Sequence, residues 1–387
     1  MNVGDRITVT VDAIAHGGHC VARHDGRVIF LRHAIPGEEV IAEITDVTSK
    51  FARGNAVEII KAAPERVTAP CNLARPNGCG GCDFQHIEIT AQQKLKSAIV
   101  KEQFKRIAKM DVSVDVIGVS PKNGFGWRTR MDFTVNPEGK IALYAARSHD
   151  LIPISKCLIA DQRMDLDAIN QMKLPAGAKV EVAISSTGKQ YIAVAGSENF
   201  DLIDEKVLDK SFSISPSSFW QSHISAPAEL SKSVLDYLEV KAGDHVFDLY
   251  GGVGLFTAAL AQAVTDTGRV TLIELDAGAI TDAKRIFADV QIVEIVEGKV
   301  ERSLSKFKRA DLILLDPPRS GAGKDVVAAM VSLEPRAIVY VSCDPASLAR
   351  DASYLESYGY KLDGLKSYDL FPMTQHIECV ARFIKSA

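Results

Sequence analysis

The chain has 387 residues, 47% hydrophobic and 24% charged, which is too long for one ordinary domain and too apolar to remain disordered. Its formal net charge of -4 excludes a uniformly cationic molecule, so any contact with nucleic acid has to come from a local basic surface. The sequence opens with no basic leader and apolar core, and no apolar run reaches the length that spans a bilayer, so a cytoplasmic chain with no membrane partner is expected.

Residues 4–60 alternate apolar and polar positions in short runs, RITVTV, RVIFL, EVIAEI and NAVEII, broken by His16-Gly17-Gly18, Asp25-Gly26 and Pro36-Gly37. This pattern predicts a small antiparallel β-barrel, placed in a first domain over residues 1–62. Pro64 to Gly81 is rich in Pro, Gly, Asn and Cys and reads as a boundary or a cluster-binding loop. The seven cysteines are an odd number, and three of them form C-x7-C-x2-C at Cys71, Cys79 and Cys82. In a reducing compartment such crowding favours metal ligation over disulfides. With Cys157, the only further cysteine before the last domain, four thiolates suit zinc or a four-iron cluster equally by count.

From Thr90 to Met110 apolar residues recur at helical spacing (Leu95, Ile99, Phe104, Ile107) with Lys and Arg between them, which predicts a helix. Residues 91–130 hold nine Lys or Arg against three acids, a local surplus of +6 that predicts a nucleic-acid surface shared with Trp127 and Arg128. The runs MDFTVN, KIALYAA, KVEVAISS and QYIAVAG predict a strand-rich central domain over residues 63–205, with Cys157 on a loop after Pro153.

After Ala226 helix and strand alternate, which predicts a doubly wound, mainly parallel sheet in a third domain over residues 206–387. In HVFDLYGGVGLFTAAL, Asp248 ends a strand, and Gly251, Gly252 and Gly254 form the turn that opens a helix and lets a ligand approach the backbone. A dinucleotide site would place a third glycine where this chain has Thr257. Twenty residues after Gly254, Glu274 ends the next strand and can accept hydrogen bonds from ribose hydroxyls. Together these features favour S-adenosylmethionine over NAD. Asp316-Pro317-Pro318-Arg319 then follows the fourth strand, at the edge where open α/β sheets bind ligands. Amino methyltransferases carry an aromatic residue where this chain has Arg319, which leaves Asp316 to bond another kind of base edge.

With SFWQ at 218–221, DLYGGVG at 248–254, IELD at 273–276, LLDPPRSG at 314–321, VSCDPASLARD at 341–351 and HIEC at 376–379, nearly the whole chain resembles the RNA uracil-5-methyltransferase family. The first 60 residues resemble the TRAM domain, an RNA-binding barrel. Cys71, Cys79, Cys82 and Cys157 resemble the [4Fe-4S] ligands of the subfamily that modifies 23S ribosomal RNA. The resemblance implies Cys343 as nucleophile and Glu378 as base, with Gln221, Tyr250, Glu274 and Asp316 around the cofactor. Carbon 5 of uracil is too weak a nucleophile to take a methyl group directly, so a thiolate has to add at carbon 6 first and a base has to remove the carbon-5 proton afterwards. On strand periodicity His376 shares the face of Glu378, while Cys379 points the other way into the core, where Cys20 is also expected. Lys299 stands where the family often has an adenine-contacting Asp or Asn, so that contact is not carried over. Asp344 should raise the Cys343 pKa, and Arg350 is a candidate compensator. The substrate implied is RNA, ribosomal ahead of transfer, with no obligate protein partner evident. The competing readings are a cytosine or amino methyltransferase on the same fold and a non-catalytic RNA-binding assembly factor.

Overall fold

The computed structural model describes residues 1–195 and 201–386. Gly196, which closes the QYIAVAG run, and Ala387 lie outside the described residues.

Five strands, β1 (Arg6–Ile14), β2 (Cys20–His24), β3 (Arg27–Arg32), β4 (Glu39–Val47) and β5 (Phe51–Lys61), close a barrel in the order β1-β2-β3-β5-β4. Alternate residues point inward, so Val9, Val11, Cys20, Ile29, Leu31, Val40 and Ile44 form its core. Two expectations are corrected. The barrel is not wholly antiparallel, because closure brings β5 beside β3 in parallel register, and β2 is a strand that the apolar pattern of CVARH did not reveal. Gly54 on β5 admits no side chain, since a Cβ there would lie 2.7 Å from the Glu43 carbonyl oxygen.

The helix expected over 90–110 divides into α1 (Ile89–Gln103) and a π-helical turn (Phe104–Ala108) that ends at Lys109 with φ 61°. The Glu88 carboxylate accepts the Thr90 and Ala91 N–H groups and caps α1. Ile99, Val100 and Phe104 bury the apolar face in the core of the C-terminal half, among Tyr340, Leu348 and Leu355. A short strand, β6 (Val116–Gly118), follows. Then β7 (Arg130–Val135), β8 (Ile141–Tyr144), β9 (Leu151–Pro153), β10 (Lys179–Ile184) and β11 (Gln190–Val194) form a five-stranded sheet ordered β11-β10-β7-β8-β9, with α2 (Leu166–Gln171) between β9 and β10. A hairpin of β12 (Ile203–Val207) and β13 (Lys210–Ile214) leads into α3 (Ala226–Leu238).

The remaining elements are β14 (His245–Leu249), α4 (Leu255–Val264), β15 (Arg269–Glu274), α5 (Ala277–Ile286), β16 (Val293–Glu297), α6 (Val300–Leu304), β17 (Leu312–Leu315), α7 (Gly323–Val331), β18 (Ala337–Ser342), α8 (Pro345–Ser357), β19 (Tyr360–Asp369) and β20 (Glu378–Lys385). They build an eight-stranded sheet ordered β16-β15-β14-β17-β18-β20-β19-β6, parallel through β18 and antiparallel at β20. LILL of β17 and AIVYVS of β18 are buried at every position, as strands covered by helices on both faces must be. Strand order reverses between β14 and β17, so a crevice opens at their carboxyl ends. β6 pairs in parallel with β19, so the segment between barrel and C-terminal half supplies a strand to the large sheet as well as its own five-stranded sheet.

Candidate active site

The crevice is built first by the turn after β14. Tyr250, Gly252 and Gly254 all take positive φ (59°, 55° and 93°) as the chain swings from β14 into α4. A Cβ on Gly254 would lie 2.3 Å from the Phe287 ring, whereas a Cβ on Gly252 meets no atom within 4 Å, so the turn packs tightly on one side and stays open on the other. Glu274, at the end of β15, accepts the Gly252 N–H at 3.0 Å and the Leu275 and Asp276 N–H groups at 2.6 and 2.8 Å. Tyr250, Glu274, Lys299, Glu301 and Lys324 line a cavity of about 420 Å³, large enough for a nucleoside. Burial, followed by Glu301, Asp351 and Glu274, pushes the Tyr250 hydroxyl up to about 12.

Thr257 has a use that the glycine pattern hid: its hydroxyl donates to Asp248 Oδ2 at 2.6 Å. The other Asp248 oxygen is buried without a partner, at the end of β14 where the glycine turn begins. Burial pushes Asp248 up to about 7 despite the Thr257 hydrogen bond. Asp316, directly after the neighbouring strand β17, also rises to about 7, through burial and then the charge of Asp248. Gln221 is buried in the loop before α3 and lines neither this cavity nor the one described next.

Strand register assembles the second part of the site. β18 and β20 pair antiparallel with Ser342 opposite Cys379, so the next position places Cys343 opposite Glu378. β17 lies on the other side of β18 with Leu315 opposite Tyr340, and Asp316 follows directly. Three residues far apart in sequence therefore meet at one end of three adjacent strands. Glu378 is buried, and burial followed by the Asp316 charge drives its carboxyl well above the usual range. Burial pushes the Cys343 thiol up to about 11, with Glu378, Asp316 and Asp344 adding and Arg319 opposing. Arg319, rather than Arg350, is thus the cation that favours the thiolate: Arg350 pairs with Asp351 at 2.7 Å and binds the Ser320 carbonyl.

Cys343 opens on a cavity of about 90 Å³ shared with Arg319, Asp344, Gln375, His376 and, from the barrel, His16. His376 lies in the turn before β20 and not on the strand, because β20 begins only at Glu378; it packs edge-on against Phe371, and burial lowers its pKa to about 4. Cys379 and Cys20 are buried in their cores as expected.

The four remaining cysteines line one pocket between the Pro64–Gly81 loop and the five-stranded sheet, walled by Leu73, Met131, Leu143 and Ile154. Cys82 accepts from Gln85 Nε2 at 3.2 Å and Cys79 from the Gly81 N–H at 3.4 Å, and burial raises both thiols, Cys82 to about 12. Among the described residues no group of three His, Cys, Asp or Glu converges as the ligands of a single metal ion would.

The basic surplus after residue 90 is smaller at the surface than in the sequence. Lys96 is buried against Asp369 and Arg130 is largely buried beside Glu205, whereas the pairs of Lys101, Lys105 and Arg106 with Asp115, Asp111 and Glu102 leave the surplus unchanged, since those acids were already set against it. Trp127 is 1% exposed, stacked on His223, and is no part of an RNA surface.

The fold and the glycine crevice define an S-adenosylmethionine-type methyltransferase architecture. Residues 161–386 match the family model described as tRNA (Uracil-5-)-methyltransferase, and residues 1–57 match the TRAM domain. The chain belongs to the tRNA (uracil-5-)-methyltransferase family and is an RNA methyltransferase by that membership. It is 38% identical to a protein of Streptomyces avermitilis named an uncharacterized RNA methyltransferase, over 98% of each chain. A Bdellovibrio bacteriovorus protein of the same description is 31% identical over 98% of this chain and 95% of its own. Among solved structures, the tRNA (uracil-54, C5)-methyltransferase of Pyrococcus abyssi in complex with S-adenosyl-L-homocysteine superposes with a TM-score of 0.74 at 22% identity, covering 98% of this chain and 100% of that one.

Proposed function

We propose that the protein methylates carbon 5 of a uridine in RNA, with S-adenosylmethionine as methyl donor. The observation that carries this reading is the register that sets Cys343 opposite Glu378, with Asp316 one strand away and the glycine crevice beyond it. The donor set fits the cofactor: the unpartnered Asp248 oxygen suits an ammonium group, Glu274 suits ribose hydroxyls, and the cavity beside Tyr250 and Lys299 has room for the adenosine. When bound, the cofactor supplies an electrophilic methyl group.

The chain's own residues supply the rest. Cys343, once ionised, adds to carbon 6 of the uracil, and the electron pair moves to the ring as an enolate. Carbon 5 then takes the methyl group, and S-adenosylhomocysteine departs. Glu378 removes the carbon-5 proton, the carbon–carbon double bond re-forms and the thiolate leaves. A carboxylate whose pKa is raised by burial is a stronger base than an exposed one, which suits Glu378 to this step. Asp316 lies where it can hold the uracil edge or close the cofactor side of the pocket. To enter the cavity of Cys343 the base has to leave its stack.

We further propose that Cys71, Cys79, Cys82 and Cys157 hold a [4Fe-4S] cluster, a reading that rests on the resemblance of these four cysteines to the subfamily's ligands and on their lining one pocket. Iron and acid-labile sulfide in anaerobically purified protein, lost in Cys82→Ser, are expected; one zinc per chain would refute the cluster.

Ribosomal 23S RNA is the substrate we favour, because cysteine site and barrel occur together here as in the subfamily that modifies it. Transfer RNA is the second reading, favoured by the Pyrococcus abyssi likeness along the whole chain. The test is transfer of labelled methyl groups to 23S and transfer RNA from cells lacking the enzyme, with digestion to nucleosides. Label in 5-methyluridine supports the proposal, and label only in a methylated cytidine or adenosine refutes it.

A further inference from the structure

The barrel reaches the catalytic pocket. Three contacts seat it there. Gly18, in the β1–β2 loop, approaches Gln375 so closely that a Cβ would lie 2.3 Å from the Gln375 Cβ. Arg32 of β3 pairs at 3.0 Å with Asp83, whose other oxygen accepts the Gln375 N–H at 3.1 Å. His16, in the same loop as Gly18, places Nε2 2.8 Å from Asp344 Oδ2 and lines the cavity onto which Cys343 opens.

Asp344 follows the proposed nucleophile in sequence and caps α8. Its Oδ1 accepts the Ser347 N–H at 2.7 Å while Oδ2 is held by His16, so both oxygens are occupied. Burial works against the ionised form of Asp344, but the His16 and Ser347 hydrogen bonds outweigh it and hold the carboxyl below its ordinary range. The carboxylate is therefore the acceptor and His16 Nε2 the donor.

We propose that His16 is a positioning residue for the methyl transfer: by holding Asp344 Oδ2 it fixes the first turn of α8 and prevents that oxygen from facing the Cys343 thiol, so docking of the barrel sets the reactivity of the nucleophile. The inference rests on Cys343 being the nucleophile. The groups that face the thiol are Glu378 from β20, Asp316 and Arg319 from the segment after β17, Asp344 from its own strand end, His376 from the turn before β20 and His16 from the barrel. Of these, Asp344 is the one bonded directly by a barrel side chain. Asp344 and Cys343 line the same cavity, so an oxygen freed from His16 can turn into it, and a carboxylate there disfavours the thiolate.

The test is the pH dependence of Cys343 alkylation in the full-length protein, read by mass spectrometry of the Cys343 peptide so that the other six cysteines do not interfere. In His16→Ala the apparent thiol pKa should rise by about half a unit to one unit, slowing alkylation below that pKa by about three- to tenfold. His16→Gln keeps a donor and should alkylate like the parent. Asp344→Asn added to His16→Ala keeps the helix cap, removes the charge and should restore the rate. Identical profiles for the parent and His16→Ala, or no recovery in the double variant, would overturn the proposal. Alkylation needs neither RNA nor methyl donor. An inert His16 alongside normal 5-methyluridine formation defeats only this inference, and a shifted thiol without any methylated RNA defeats only the proposed function.

Discussion

Lys96 and Asp369 form an ion pair with no exposed surface, Nζ lying 2.6 Å from Oδ1 and 3.0 Å from the Phe371 carbonyl. Lys96 belongs to α1 and Asp369 ends β19, so the pair fastens the middle of the chain to the methyltransferase sheet beside the loop that carries His376. Burial lowers the Lys96 pKa, and Asp369 opposes that effect. Lys96→Met removes one partner and strands the other charge, so a loss of about 3–5 kcal/mol is expected. Urea unfolding measures it, and a loss below about 1 kcal/mol would show that Asp369 finds another partner.

Gly254 is required twice, by its φ of 93° and by the Phe287 ring, which would stand 2.3 Å from any Cβ at that position. Gly254→Ala should cost about 2 kcal/mol of stability and weaken binding of S-adenosylhomocysteine at least tenfold, because the turn has to shift away from α5. Calorimetric titration gives the affinity, and unchanged binding would place the cofactor away from this turn.

Asp248 rises from 3.8 to about 7 on burial. A carboxyl with a raised folded-state pKa keeps a proton that the unfolded chain has released, so the stability it contributes is full below about pH 4 and is lost as pH rises to about 7. The loss amounts to on the order of 4 kcal/mol over that window. Asp248→Asn should therefore flatten the decline in melting temperature between pH 5 and pH 8 in cofactor-free protein. A parallel decline in parent and variant would count against a protonated Asp248.

Glu378→Gln should leave addition and methyl transfer intact and stop at proton removal. A covalent complex between protein and methylated natural RNA is expected to accumulate on denaturing gels, where the parent leaves none. Turnover by the variant within about tenfold of the parent would assign the proton to another base.

The placement of the candidate site was legible because each of its motifs is short and ends a strand. DLYGGVG, LLDPPRSG and VSCDPASLARD fall at the carboxyl ends of β14, β17 and β18, where fold and motif agree. What was hidden depends on distant pairing. β19 escaped notice because Lys361, Asp363, Lys366 and Asp369 interrupt its apolar alternation, although pairing with β20 and β6 makes it interior to the sheet. The local charge count could not show that Lys96 and Arg130 turn inward, because their partners Asp369 and Glu205 lie far along the chain. Trp127 reads as part of the nucleic-acid surface because it stands beside arginines, but it is buried with Ile159 and Met373 and stacks on His223, partners that lie far along the chain. His16 offered no signal at all, since 328 positions separate it from Asp344.

The central claim is that Cys343 forms a covalent bond to carbon 6 of a uridine. Incubation with S-adenosylmethionine and RNA carrying 5-fluorouridine tests it directly, because fluorine cannot leave as a cation and the adduct is trapped. A denaturation-resistant protein–RNA complex, linked through the Cys343 peptide and absent from Cys343→Ala, is the result expected. An undiminished complex in Cys343→Ala, or none from enzyme that methylates the natural RNA, would contradict the account.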